Sequence, residues 1–214
     1  MYIIGITGGS GTGKTVALSV LEKMGVVTFD CDKVYHELLC ENEIMKSEIE
    51  AAFNGVLTDG VIDRKKLGGI VFNDKAALQK LNNITHRYVV NEVTVQLDVL
   101  AKQGNKAAAI DAVALIESGA NKICNITVGF VAPLDKRITR IMERDSIYKE
   151  TAELRVMAQQ PDEFYKNHCD IIVNNSFDTI EEFEEYCKKI FTDVINPFEE
   201  YCKKIFTDLI NPDE

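Results

Sequence analysis

Ile3-Ile4-Gly5-Ile6-Thr7 followed by Gly8-Gly9-Ser10-Gly11-Thr12-Gly13-Lys14-Thr15 is an apolar strand run that empties into a glycine-rich turn. The turn matches G-x-x-x-x-G-K-[ST] in full. A helical stretch, Lys14–Met24, follows directly, with Gly25 as its stop. Strand, turn and helix in that order are the context a phosphate loop requires. The glycines let successive N–H groups turn inward on a β-phosphate, and the helix N-terminus adds partial positive charge. Lys14 is placed to reach the β/γ-phosphates, and the Thr15 hydroxyl to ligate Mg²⁺. Gly9, Ser10, Gly11, Thr12, Gly13, Lys14 and Thr15 are therefore the expected contacts for ATP and its metal. A glycine-rich turn without a ligand is the competing reading. Chance alone produces the pattern in under about one chain in a hundred of this length.

Outward from the loop, further strand runs are Val26–Asp30, Ala107–Asp111, Ile126–Val131 and Ile171–Asn174, with helical stretches between them such as Leu134–Arg144. Strands alternating with helices imply βαβ units, so the fold class is α/β, a parallel sheet covered on both faces. Residues 34–103 carry helical periodicity and little strand signal. That is far longer than an ordinary crossover and reads as a helical insertion covering a substrate. With 214 residues, about 1.4 domains are expected, hence one domain over 1–182 with this insertion and a lid near 135–160.

Lys+Arg 24 against Asp+Glu 34 leaves a net charge of −10, which argues against a nucleic-acid partner and against an anionic membrane surface. No apolar run is long enough to span a bilayer. The six cysteines lack C-x-x-C spacing, and Met1–Gly5 enters a strand without a basic leader. A cytoplasmic protein with reduced thiols is the expectation.

Phosphoryl transfer to a hydroxyl needs a carboxylate to take or orient its proton, and ligands of parallel sheets bind beyond the carboxyl ends of strands. Asp30-Cys31-Asp32 lies at such an end. Asp32 is the expected base and Asp30 its structural or metal-shell partner. Two turn aspartates capping the next helix would look the same. Asp111 closes another strand and is placed to hold a metal-bound water, or is a plain strand-end residue. Arg137, Arg140 and Arg144 recur at i, i+3, i+7 and so share a helix face. Beside a phosphate site they form a charge-neutralising lid; otherwise they are a solvated face paired with Glu143 and Asp145. Asn175 is suited to read adenine or to make an ordinary turn. His86 has no ligand-like spacing.

Together these segments resemble the dephospho-CoA kinase family. The resemblance is carried by Gly5–Thr15, Asp30-Cys31-Asp32, Asp63–Phe72, Leu81–His86, Arg140–Asp145, Ala158-Gln159 and Asn175. It implies transfer of the ATP γ-phosphate to the ribose 3′-hydroxyl of dephospho-CoA, with Asp32 as base, Lys14 and Thr15 on ATP–Mg²⁺, and Arg140 on the phosphates. It also implies Arg144 and Asn175 at the nucleotide, and Arg64, His86, Leu115 and Glu117 at dephospho-CoA. The chain departs from the family's Asp-x-Pro-Leu-Leu-Phe-Glu in Asp111–Glu117, where Val113, Ala114 and Ile116 replace Pro, Leu and the aromatic. Arg87 stands for a proline after His86, and Phe177 for a turn glycine. Two rivals remain at this level: a kinase of a nucleoside or nucleotide, and a nucleotide- or CoA-binding paralogue without turnover.

The tail is a duplication. Phe183–Pro197 and Phe198–Pro212 agree at 14 of 15 positions, differing at Val194 and Leu209. Each copy has an amphipathic stripe, and Asn196-Pro197 is expected to break the helix between them. One copy should pack on the sheet, leaving the other loose or meeting another molecule, a route to self-association.

Overall fold

The computed structural model describes residues 1–72 and 74–210, with side chains of the last helix through Asn196. β1 (Tyr2–Gly8) leads through the glycine-rich turn into α1 (Lys14–Lys23), and β2 (Val27–Asp30) into α2 (Cys31–Glu41) and α3 (Glu43–Ala52). A hairpin of two-residue strands, β3 (Leu57–Thr58) and β4 (Val61–Ile62), precedes α4 (Arg64–Val71) and the 28-residue α5 (Lys75–Lys102). Then come β5 (Ala107–Asp111), a 3₁₀ turn at Ala120–Ile123, and β6 (Ile126–Val131). α6 (Leu134–Asp145), α7 (Lys149–Met157), α8 (Asp162–His168), β7 (Ile171–Asn174) and α9 (Ile180–Ile210) complete the chain.

The main sheet runs β2-β5-β1-β6-β7, and every pairing in it is parallel. β1 is central, with Gly5 opposite Ile110 on one side and Thr127 on the other. Its apolar run is buried as a strand covered on both faces must be. β5 shows the two sides: Ala108 and Ile110 join a core with α2–α5, while Ala107 and Ala109 face α1 and α9. The register places Asp30 beside Asp111, so the carboxyl ends of β2, β5 and β1 bring two acids next to the phosphate loop.

The helices of 34–103 start where short acceptors cap them. Asn42 accepts from the Met45 amide, Asp63 from Lys65 and Lys66, and Asp74 from Ala76 and Ala77. The small hairpin inside this stretch is a feature its helical periodicity does not announce.

In α9, Phe183, Cys187, Phe191 and Val194 are buried against α1 and the sheet, so the first tail copy is the one that packs. The expected break does not occur: the helix starts at Ile180 and continues through Asn196-Pro197 to Ile210. An interior proline costs about 3 kcal/mol, a local preference that the helix-forming segments on either side of Pro197 outweigh. The side chains of that second copy, and the self-association expected of them, lie outside the described residues.

Candidate active site

Gly8 to Thr15 wrap the end of β1 and the start of α1. Gly13 caps α1 in the left-handed region, with φ of 100° and no side-chain acceptor, which leaves the first amides of α1 to an external anion. Gly11 has φ of 77°, and a Cβ there would lie 2.6 Å from the Arg137 carbonyl oxygen; glycine alone fits. Lys14 folds back over the loop, donating to the Gly8 carbonyl at 2.7 Å and the Gly9 carbonyl at 3.3 Å. Burial lowers its pKa, while the charges of Asp111 and Asp32 oppose that shift. The Thr12 hydroxyl donates to the Gly9 carbonyl at 2.8 Å, and Thr15 is exposed on the first turn of α1.

The acids divide by role. Asp30 is the N-cap of α2, accepting from the amides of Asp32 and Lys33 at 2.9 and 3.0 Å. Asp32 is exposed, in the first turn of α2, and borders an apolar cavity. Asp111 is mostly buried, and burial pushes its carboxyl up to about 6 although Lys14 pulls it down. Its Oδ1 is buried without a hydrogen-bond partner. An acid of that kind near the phosphate-loop lysine is suited to hold a metal-bound water, so with the Thr15 hydroxyl the donor types fit Mg²⁺. Among the described residues no group of three His, Cys, Asp or Glu makes a metal site by protein ligands alone.

α6 carries its three arginines as expected, but they serve different partners. Arg137 is 4% exposed and donates to the Ser10 carbonyl at 3.0 Å, to Gln159 Oε1 at 3.0 Å and to Asp162 at 3.4 Å. Arg140 donates to the Gly11 carbonyl and to Asn175 Oδ1, both at 3.2 Å. Arg144 is exposed and holds Asp145 through two bonds, at 2.8 and 2.9 Å, yet its charge still bears on Lys14. Ser10 is tied to the lid side of the loop. Its amide donates to Gln159 Oε1, its hydroxyl accepts from Gln159 Nε2, and its carbonyl accepts from Arg137. Asn175 is tied to the loop as well. It is buried, its amide NH₂ donates to the Thr12 carbonyl at 3.0 Å, and its oxygen accepts from Arg140. A side chain so occupied braces the phosphate loop.

Opposite the loop lies a cavity of about 300 Å³ between α2, α5 and the segment after β5. Cys31, Asp32, Tyr35, Leu81, Val89 and Val93 contribute to its wall, so one carboxylate meets a mainly apolar surface. His86 lines it too, with its pKa lowered by burial and raised in part by Glu117. Glu117 lies in an adjoining groove with His86 and Arg87, and accepts from Gln160 at 3.1 Å. Arg64 is exposed and reaches His36 at 3.3 Å. Leu115 is corrected: it is fully buried in the core, where a Cβ on Gly5 would come within 2.7 Å of it. The substituted positions Val113 and Ala114 do line the cavity.

A family model described as dephospho-CoA kinase matches residues 2–181. The chain belongs to the dephospho-CoA kinase family. A relative of that name from Fusobacterium nucleatum is 33% identical over 195 residues, spanning 89% of this chain and 99% of its own. The solved dephospho-CoA kinase of Campylobacter jejuni is 28% identical, with a TM-score of 0.65 over 90% of this chain and 96% of that one. A Thermus thermophilus crystal structure is 25% identical, with a TM-score of 0.72 over 92% and 97%. The chain is thus a kinase with the sheet and loop of its family.

For a dephospho-CoA kinase, the sequence reading left two groups unassigned. Gln159 was one of the residues carrying the resemblance, and its place against Ser10 emerges only when the chain segment after α7 returns to the loop. Tyr35, Val89 and Val93 sit on helix faces that any core would use, so nothing in their spacing marks them as cavity wall. Charged neighbours at the mouth, Asp32 above all, were the available signal.

Proposed function

We propose that the chain transfers the γ-phosphoryl group of ATP to the ribose 3′-hydroxyl of dephospho-CoA, with Asp32 as the general base. The observation that carries this reading is the position of Asp32, which lines the apolar cavity and lies near enough to Lys14 for its charge to act on it. Phosphorylation of dephospho-CoA with ATP is the activity its family is named for. The cavity would take the acceptor, with His86 and Glu117 at its outer edge and Asp32 turned to the hydroxyl.

Lys14 and the α1 amides hold the β- and γ-phosphates, and the lid arginines spread positive charge over the group in transit. Mg²⁺ would be held by Thr15 and, through water, by Asp111, and it supplies neutralisation of charge on the phosphates. Asp32 accepts the proton of the attacking hydroxyl at its carboxylate, which is why it must stay ionised and exposed to the cavity. The reaction belongs in the cytoplasm, where ATP is available. For the second tail copy we keep self-association as a proposal, read by sedimentation of the full chain against one ending at Pro197.

Asp32→Asn tests the assignment. ADP release with dephospho-CoA should fall by roughly 10²–10⁴ while the KM for ATP stays close to wild type. A rate within twofold of wild type would remove Asp32 from the mechanism.

A further inference from the structure

Ser10 stands in the middle of the phosphate loop, and all three of its polar groups meet Gln159 or Arg137. Gln159 Oε1 takes its amide at 2.8 Å, Gln159 Nε2 reaches its hydroxyl at 2.8 Å, and Arg137 Nε reaches its carbonyl at 3.0 Å. Arg137 in turn donates to the same Gln159 oxygen and to Asp162. These residues come from four places in the chain: the loop, α6, the end of α7 and the start of α8. The fit is close, since a Cβ on Gly9 would run into both Arg137 Nη2 and Gln159 Oε1.

We propose that Gln159 and Arg137 are positioning residues that clasp the lid to the outer face of the phosphate loop through Ser10, fixing where the other arginines of α6 stand over the transferring phosphoryl group. This rests on the kinase reading above. Arg140 and Arg144 ride on the helix that Arg137 anchors, one and two turns further on. A shift of that helix by about 1 Å misplaces charge at the transition state and can cost on the order of 10²-fold in rate without loosening ground-state nucleotide binding. In the clasp the Ser10 amide and carbonyl are taken by Gln159 and Arg137, and the hydroxyl oxygen accepts from Gln159 Nε2.

The chemistry of the amide makes the test selective. Gln159→Glu keeps both acceptor bonds, from the Ser10 amide and from Arg137, and the Ser10 hydroxyl can turn to donate. Gln159→Met keeps the length and loses all three bonds. Arg137→Lys keeps the charge, but an ammonium cannot bridge Ser10, Gln159 and Asp162 with a planar fork. Kinetics on ATP and dephospho-CoA, thermal melting and hydrogen exchange of the Ser10 amide are measured for all three.

Gln159→Met and Arg137→Lys should each lower kcat about 10- to 100-fold, with the KM for ATP within about threefold. Gln159→Glu should keep at least half of the wild-type kcat. The Ser10 amide should exchange faster in Gln159→Met than in wild type, at a nearly unchanged melting temperature. Wild-type kcat in Gln159→Met or Arg137→Lys overturns the proposal. So does equal loss in Gln159→Glu and Gln159→Met, or an effect confined to KM. If the wild type turns over no dephospho-CoA, the kinase assignment fails, whereas the exchange of the Ser10 amide still decides whether the clasp exists.

Discussion

Around the phosphate loop the contacts are directional: Arg137 and Gln159 hold Ser10, Arg140 holds the Gly11 carbonyl, and Asn175 holds the Thr12 carbonyl. Across the crevice, the cavity wall of Tyr35, Leu81, Val89 and Val93 offers apolar surface, with Asp32 as its charged edge. The loop fixes an anion by backbone geometry, and a displaced atom there costs rate. Under the proposed function the cavity would hold the acceptor by shape and exclusion of water, and a trimmed side chain there would cost affinity. The proposed function thus divides the work between the phosphate, which must be placed, and the acceptor, which must be gathered.

That division can be broken by substitution on either side. Gly11→Ala forces a side chain into φ of 77° and against the Arg137 backbone. The expected loss in kcat is about 10²-fold, with the KM for dephospho-CoA little changed. Val89→Ala trims the cavity wall instead, and the KM for dephospho-CoA should rise roughly 10-fold while that for ATP holds. Crossed effects, with Gly11→Ala acting on the acceptor KM or Val89→Ala on ATP, would show that the halves are not separate.

The carboxylate between the halves gives a smaller, pH-dependent effect. Burial holds Asp111 at about 6, above its ordinary 3.8, so the folded chain binds this proton more tightly than the unfolded one. The stability it contributes is complete below about pH 4 and is lost as pH rises through 6. Asp111→Asn should therefore raise the melting temperature of the nucleotide-free protein at pH 7.5 and leave it nearly unchanged at pH 4. Smallest of all, ending the chain after Pro197 should leave kcat and melting temperature close to wild type, since the first tail copy supplies the buried Phe183, Cys187, Phe191 and Val194.

The same contrast explains what the sequence revealed. A phosphate loop demands glycine and lysine at fixed spacing, because positive φ and a returning ammonium admit few alternatives, so Gly8–Thr15 was readable at once. The sheet followed from five apolar runs, and the parallel pairing of β1, β2, β5, β6 and β7 agrees with them. Cavity walls make no such demand. Leu115 one turn beyond a strand reads alike whether it faces a ligand or the core, and here it faces the core. Asn175 carries an amide equally suited to a base and to the protein's own groups, and here its NH₂ donates to the Thr12 carbonyl while its oxygen accepts from Arg140. The β3–β4 hairpin, two residues to a strand, is too short to impose a period of its own. A helix crossing Pro197 was missed because local breaking costs about 3 kcal/mol, a preference that neighbouring helical segments can outweigh.

The central claim is the destination of the phosphoryl group. Incubation of the full chain with γ-labelled ATP, Mg²⁺ and an acceptor panel of dephospho-CoA, nucleosides and nucleotides tests it most directly. Label should appear in coenzyme A, as the 3′-phosphate of its ribose, with one ADP released per label transferred. Label in a nucleoside or nucleotide with none in coenzyme A, or ATP bound without transfer to any acceptor, would contradict the account.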